Sequence, residues 1–502
     1  MLRLLGSRRR LCDGLTRRDW MLAGGLGFLG LNLSDALRLK DAQAADAPAQ
    51  KGPFGKAKSV ILLLPYGSPP QHETFDPKPD APREVRGEMG ATATNVPGVQ
   101  ICDHLPKIAK IMDRITVVRS MTHPFPVHGT AYAVSGIPEY TPALETRPRD
   151  PKHWPFIGSV VDYIEEQRDP QTIPMVPRNL ALPWKMNSRG GEAASVQAGP
   201  YAAFLGPAYD PVLTDFEGEG TRDIYKYSPK NGPRHVVRDP YAGVKSDCHF
   251  RLAGTEMRAG MTLDRHDRRR SLLEQLDAQR RDVDQNVETR SFDRYQRLAF
   301  TLLSSPAVRD ALDVQKEPTE TREKFGMNLF GQSCVVARRL VQAGAKFVTV
   351  FWDEYAYLNT DWDTHWNHFY RLKDRLLPGF DLAYSALIGD LQERGLLDET
   401  LVVWMSEHGR TPRLNKGRLP GRDHWSRVYS IALAGAGIGC GKVVGRSDAI
   451  GGDVDDNPVS PKDVLASIFY SLGIDPHMTI PNRLGQPLPV AGTGVVRSEF
   501  FA

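Results

Sequence analysis

Five short, largely aliphatic runs constrain this chain more than any other feature: Ser59 to Leu64, Ile115 to Val118, Phe347 to Phe351, Leu401 to Met405 and Tyr429 to Ala434. A strand with one wet face alternates apolar and polar residues, and a helix needs more length, so unbroken runs of four to six residues predict strands covered on both faces. Helical periodicity lies between them. Within Gly331 to Ala343, the residues Cys334, Val335, Ala337, Leu340 and Val341 form one apolar stripe, and Leu376 to Arg394 is followed by Gly395, the residue type favoured just past a helix end. Strands alternating with helices predict an α/β fold, a three-layer sandwich around a mostly parallel sheet. Residues 140 to 260, dense in Pro, Gly and isolated aromatics, read as irregular insertions over the functional edge, with helix resuming from Met261 to about Leu312. No internal repeat and no second hydrophobic pattern demands another unit, so one domain is expected over residues 57 to 502.

The first 44 residues read as an address. Arg8, Arg9 and Arg10 precede Thr16-Arg17-Arg18-Asp19-Trp20-Met21, then an uncharged run to Leu33 and a small-residue site at Ala42-Gln43-Ala44. A membrane-spanning helix needs about 20 apolar residues, more than this run supplies. A basic front, short apolar core and small-residue site predict a signal peptide, and the paired arginines select the twin-arginine route. The expectation is cleavage near Ala45, a linker over residues 45 to 56, no stable membrane span afterwards, and a periplasmic or otherwise exported product whose partner in export is the twin-arginine translocase.

The formal charge of +4 sits wholly in that leader, where eight Lys or Arg stand against four Asp, so the remainder is neutral. A nucleic-acid binder needs a basic surplus on one face. The nearest approach, Arg265 to Arg270 with Arg280 and Arg281, alternates with Asp264, Asp267, Asp277 and Asp282 at helical spacing and reads as a solvated helix face. Nucleic acid is therefore not an expected partner. Cys102, Cys248, Cys334 and Cys440 are far apart and form no C-x-x-C pair.

Ligands of open α/β sheets gather at the carboxyl ends of strands, which directs attention to three charged clusters. Asp361-Trp362-Asp363-Thr364-His365-Trp366-Asn367-His368 follows the run ending near Phe351. Asp361 shares a face with His365 if the segment is helical, and Asp363 does if it is extended. Either pairing sets a hard oxygen beside an imidazole, which suits zinc, manganese or iron. Ser406-Glu407-His408-Gly409-Arg410 continues directly from Leu401 to Met405, a rigid way to present ligands. Arg410 either orients an anionic substrate or pairs with Glu407. Gly421-Arg422-Asp423-His424-Trp425 precedes Tyr429 to Ala434. Three His-carboxylate groups, each beside a predicted strand end, describe a metal site better than any one does.

Several segments carry a resemblance: Glu73-Thr74-Phe75-Asp76-Pro77-Lys78-Pro79, Val99-Gln100-Ile101-Cys102-Asp103-His104-Leu105-Pro106, Phe330-Gly331-Gln332-Ser333-Cys334, Trp362-Asp363-Thr364-His365, Glu407-His408-Gly409-Arg410-Thr411-Pro412 and Gly421-Arg422-Asp423-His424-Trp425. Together they resemble the family known as domain of unknown function 1501, sulfatase-like proteins placed in the alkaline phosphatase superfamily. The resemblance implies a sheet with two metals at its edge, one held by an Asp, a nearby His and a later His. The other takes an early strand-end Asp, the nucleophile and an adjacent Asp-His pair. Carried over, Asp361 or Asp363 with His365 and His424 would hold the first, and Glu407 with His408 would stand for the pair. The family usually shows Glu-Phe there, so His408 is a departure toward the metal-binding pattern. After Leu64 come Pro65-Tyr66-Gly67 with no Asp, leaving His72 and Glu73 as the early ligands; no Cys-x-Pro-x-Arg sequence exists, so formylglycine is not expected, and Thr122, ahead of His123 and His128, is the candidate nucleophile. The expected activity is metal-dependent hydrolysis of a small-molecule or polysaccharide phosphate or sulfate ester, using one or two divalent ions (zinc, manganese or calcium). The alternative is a non-catalytic exported protein binding carbohydrate or a partner on the same fold.

Overall fold

All five aliphatic runs lie in one sheet and stand next to one another in it. The computed structural model describes residues 52–147, 150, 152–170, 172, 174–190, 199–226, 235–252, 294, 298, 305–357 and 361–502. The leader and most of the linker fall outside these residues. So do the basic cluster at 265–281 and nearly all of the helical stretch expected from Met261, of which Pro306–Leu312 is seen as helix.

The sheet is built from β1 (Ser59–Pro65), β2 (Thr116–Met121), β3 (Asn179–Leu182), β4 (Val212–Glu217), β5 (His249–Leu252), β6 (Phe347–Trp352), β7 (Thr400–Trp404), β8 (Tyr429–Ala434) and β9 (Lys442–Val444). Its nine strands run in the order β9-β2-β8-β7-β1-β6-β3-β4-β5. Only β8 and β5 oppose the common direction, since β8 is antiparallel to both β7 and β2, and β5 to β4. Every other pairing is parallel. The sheet is thus mostly parallel, as expected from runs buried on both sides.

Residue alternation divides β1 between two cores. Ile61 and Leu63 join one apolar layer with Val348, Val350, Val402 and Trp404. Val60, Leu62 and Leu64 join the other with Phe347, Phe351, Leu401 and Val403. Helices α2 (Leu329–Gln342) and α3 (Leu377–Glu393) cover the first face, while α1 (Ile157–Arg168) and α4 (Pro461–Ser471) cover the second. The layering is helix, sheet, helix. α3 ends as the sequence indicates, with Gly395 at φ +68° just past it. Upstream, His368–Arg371 and a π-turn at Leu372–Leu376 lead into α3, so the helix begins inside the first charged cluster.

One expectation needs correction. Residues 140 to 260, read as irregular insertions, supply α1 and the three edge-side strands β3, β4 and β5. β3 and β5 have only four residues each, and β4 alternates half-buried with buried positions, so neither a long apolar run nor a clean periodicity marks them. Among the described residues Cys102, Cys248, Cys334 and Cys440 form no disulfide, the first three being buried and Cys440 exposed. Among the described residues no helix is long and apolar enough to cross a membrane.

Because both faces of β1 are covered, Leu62→Ala and Leu63→Ala should each lower stability by about 2–5 kcal/mol with the urea m-value unchanged. A large loss at only one of the two positions, measured by urea unfolding, would contradict the three-layer packing.

Candidate metal centre

The direction of β8 explains how the three clusters meet. β7 delivers Ser406, Glu407 and His408 at its carboxyl end, whereas His424 precedes a strand that runs the opposite way, so both arrive at one edge of the sheet. A two-residue antiparallel ladder then fixes the register, setting Arg410 opposite His424 and Gly409 opposite Trp425. The segment after Asp361 is non-helical as far as His368, which places Asp363, and not Asp361, beside His365. Close approach of backbones is required here. A Cβ on Gly67, which has φ +98°, would lie 2.4 Å from the Asp363 nitrogen, and one on Gly421 would lie 2.3 Å from the His365 carbonyl.

Asp363 is the centre of the arrangement and is 1% exposed. Its Oδ1 lies 3.1 Å from His365 Nε2, 3.2 Å from His424 Nε2 and 3.5 Å from His128 Nε2. His365 Nε2 and His424 Nε2 are 3.0 Å apart. The opposite nitrogens are anchored: His365 Nδ1 sits 2.7 Å from Asp423 Oδ1, His128 Nδ1 2.9 Å from Glu407 Oε1, and His408 Nδ1 2.8 Å from the Gly409 carbonyl. A ring that donates from Nδ1 keeps its Nε2 lone pair for a ligand, the arrangement typical of metal-binding histidines. His408 Nε2 is buried and has no hydrogen-bond partner among the described residues. Two overlapping donor sets result, Asp363–His365–His424 and His128–His408–His424, each with its ligand atoms within 4.8 Å of one another.

Electrostatics separate the groups. Burial alone would raise the Asp363 carboxyl, but Arg410 and His128 hold it well below the usual carboxylate range. Burial would lower His128, yet Asp363 and Glu407 outweigh it and raise the ring to about 10. Burial, reinforced by the cationic His128 ring and Arg410, keeps His408 well below the ordinary imidazole value, and His424 is lowered chiefly by burial. His408 and His424 are therefore neutral, as ligation requires.

The other predicted residues lie elsewhere. Asp361 is buried beside Arg375 Nη2 at 3.3 Å and receives Arg371 at its carbonyl, so it braces the loop. Glu407 accepts from the Gly67 N–H at 3.0 Å, from Ser406 Oγ at 2.6 Å and from His128, which orients His128 and leaves the carboxylate no direct place in either donor set. Glu73 is paired with Arg422 at 2.6 Å and His368 at 3.2 Å, and these outweigh burial to keep it ionised. His72 Nε2 faces the Ile450 carbonyl at 2.7 Å. Neither His72 nor Glu73 reaches the donor sets.

Arg410 is fully buried and pairs with Asp363 in place of Glu407. Its donors go to Asp363, to the Ser68 carbonyl at 3.1 Å, to the Arg422 and Trp362 carbonyls at 3.2 Å, and to Gly67 O. Thr122 bonds Val459 O through its backbone N–H, and among the described residues its hydroxyl makes no hydrogen bond to the cluster. His128 is the ligand-type residue that the clusters did not single out, because it stands in a loop seven residues past β2 with no carboxylate beside it in sequence. Asp353 and Glu354 are also buried at a strand end, immediately after β6, and burial first, then neighbouring carboxylates for Glu354, pushes them to about 7 and about 8.

The sequence model of the family described as "Protein of unknown function (DUF1501)" matches residues 57–500. Among solved structures, the chain is similar to a sulfatase from Pseudoalteromonas sp., at 11% identity over 88% of this chain and 70% of that one, with a TM-score of 0.37. It is also similar to the lipoteichoic acid synthase LtaP from Listeria monocytogenes, at 9% identity over 85% and 75%, TM-score 0.35, and to alkaline phosphatase from the Antarctic bacterium TAB5, at 10% over 76% and 92%, TM-score 0.29. No curated protein matches the sequence.

His72 and His123 are each lowered to about 4, burial being the main cause, so both fold as neutral rings. Unfolded, each titrates near pH 6.5 and binds the extra proton, so its contribution to stability is intact above about pH 6.5 and lost as pH falls toward 4. Asp353 and Glu354 act with opposite sign, so the informative quantity is a difference. Between pH 7 and pH 5, His72→Gln or His123→Gln should remove roughly 2 kcal/mol of acid destabilisation relative to wild type, read from urea unfolding at the two pH values. Parallel pH profiles for wild type and both variants would refute it.

Proposed function

From the premise that this chain belongs to the DUF1501 family, we propose that it is an exported, metal-dependent hydrolase of phosphate or sulfate esters. The observation that carries the reading is three imidazole Nε2 atoms within 3.5 Å of one buried carboxylate oxygen, with a fourth buried Nε2, on His408, left without a partner. Nitrogen and carboxylate donors of this kind fit a zinc-class divalent ion. Asp363, His365 and His424 would hold it. Bound there, a divalent ion supplies Lewis-acid polarisation of an ester oxygen.

The chain's own residues do the remainder. Asp363 offsets positive charge at the site, and Arg410 fixes it in place. Asp423 and Glu407 hold the His365 and His128 rings with Nε2 turned inward. Trp362 and Trp404, fully buried beneath the loop, keep water from the inner side of the site. Thr122, half-buried at the same edge, is the candidate nucleophile. Export by the twin-arginine translocase rests on the leader's sequence, and N-terminal sequencing of the secreted protein should begin near Ala45.

One observation favours a non-catalytic carbohydrate- or partner-binding protein instead, namely that the Thr122 hydroxyl is not engaged with the cluster. Both readings are separable with nitrophenyl phosphate and nitrophenyl sulfate as probes and with metal analysis of purified protein. The hydrolase reading expects bound divalent metal and turnover of one of the two esters. His424→Ala, which removes the residue common to both donor sets, should lose metal and turnover while keeping the wild-type circular dichroism. Metal without turnover selects the binding protein, and metal-free wild type refutes the proposal.

A further inference from the structure

One donor set lies beside the site formed by Asp363, His365 and His424. His128, His408 and His424 come from three separate segments, yet their ring centroids lie 4.2 Å apart for His128 and His424, 4.6 Å for His408 and His424, and 5.4 Å for His128 and His408. His128 and His408 are both tied at Nδ1, the one to Glu407 and the other to Gly409 O, so each ring turns Nε2 toward the site; on His128 that nitrogen carries the proton facing Asp363 Oδ1 at 3.5 Å, which passes to solvent when a cation takes its place. His408 is 1% exposed and its Nε2 is unpartnered. A buried polar atom left unsatisfied is destabilising, so this nitrogen marks a position where a cation relieves a penalty built into the fold.

The acid that the family resemblance implies at the end of β1 for a second ion is absent, the turn there being Pro65-Tyr66-Gly67. An acid in place of Gly67 would collide with Asp363, because even a Cβ there comes within 2.4 Å of its backbone nitrogen. Glu407, the other residue expected to serve a second ion, is bound to His128, Gly67 and Ser406. We propose that His128, His408 and His424 form a three-imidazole site for one zinc-class ion, sharing His424 with Asp363 and His365, so that each chain holds one ion at a time. The inference rests on the metal reading above and adds its ligand set and stoichiometry.

The shared residue sets the limit. A neutral imidazole has one ring nitrogen free to ligate, so His424 serves one ion. Two divalent ions on either side of a single ring would also repel strongly in a partly buried site. The sets differ in chemistry: three imidazoles favour zinc over manganese or calcium, whereas the set containing Asp363 accepts harder ions. His128, through its hydrogen bond to Glu407, thereby becomes a determinant of which metal the protein retains.

The test uses the full chain with Zn²⁺ or Co²⁺ added to metal-free protein, reading stoichiometry, affinity and the visible absorption of bound Co²⁺. Wild type should bind one ion. His365→Ala should still bind one, held by the imidazole set, and His128→Ala should bind Zn²⁺ at least about tenfold more weakly with an altered Co²⁺ spectrum. The His128→Ala/His365→Ala double variant should bind none. His128→Gln, which retains a hydrogen-bonding group for Glu407 but no ring nitrogen, should reproduce His128→Ala if packing is preserved. Two ions per wild-type chain, loss of all metal in His365→Ala alone, or unchanged affinity and spectrum in both His128 variants would each overturn the proposal while leaving metal binding by Asp363, His365 and His424 intact. Metal-free wild type would instead overturn the earlier reading.

Discussion

A single guanidinium ties the functional edge together. Arg410 leaves the end of β7 and donates to the turn after β1 at Gly67 and Ser68, to the loop carrying Trp362 and Asp363, and to Arg422 in the segment that presents His424. Each of those carbonyls is buried and would otherwise need another donor. Asp363 gains the same group as its counter-charge. Buried ion pairs seldom add much net stability, since desolvation offsets attraction, but removing one partner strands the other at a cost of about 3–5 kcal/mol. The pair therefore specifies where four loops stand relative to one another more than it strengthens the fold.

The pattern repeats one shell outward. Arg422 binds Glu73 and the carbonyls of Thr411, Pro412 and Val85, and Arg371 does the same for Asp363, Trp366 and Asp361 carbonyls. Irregular loops lack ladders to satisfy their backbone, and planar guanidinium groups with several donors can serve several carbonyls at once. Beneath them Phe380 stacks on Trp404 at 3.8 Å, and Trp362 meets Trp352 and Trp404 edge-on at 5.5 Å and 5.7 Å. The result is a polar, histidine-lined edge on a rigid aromatic base. Ring orientations depend on that rigidity, because a donor displaced by 1 Å no longer fits a metal's short bonds.

The metal chemistry proposed for the edge follows from this positioning rather than from any one residue. His365, His128 and His408 each have Nδ1 engaged by a different kind of acceptor, an exposed carboxylate, a buried carboxylate and a backbone carbonyl. Their common consequence is an inward Nε2. Glu407 and Asp423 act at one remove, and that is why carboxylates adjacent to histidines in sequence turn out to orient rings instead of joining the donor sets.

The sequence alone determined the sheet and its burial, because unbroken aliphatic runs can be satisfied only by apolar layers on both faces, and all five runs became neighbouring strands. It also pointed to the segments of Asp363, His365, His408 and His424, whose side chains the fold brings together, since charged residues beside strand ends meet wherever those ends share an edge. Tertiary structure decided what local pattern could not express. Whether Asp361 or Asp363 faced inward depended on the loop being extended, and whether His424 reached the edge depended on β8 running antiparallel. The partner of Arg410 was equally beyond reach: neighbouring Glu407 was the local candidate, yet Asp363, 47 residues away, took the charge. His128 carried no local mark at all, and β3, β4 and β5 were too short to stand out from loop. Side-chain pairing in a buried site is chosen by distance in space and by the need to neutralise every charge removed from water, and chain neighbourhood encodes neither.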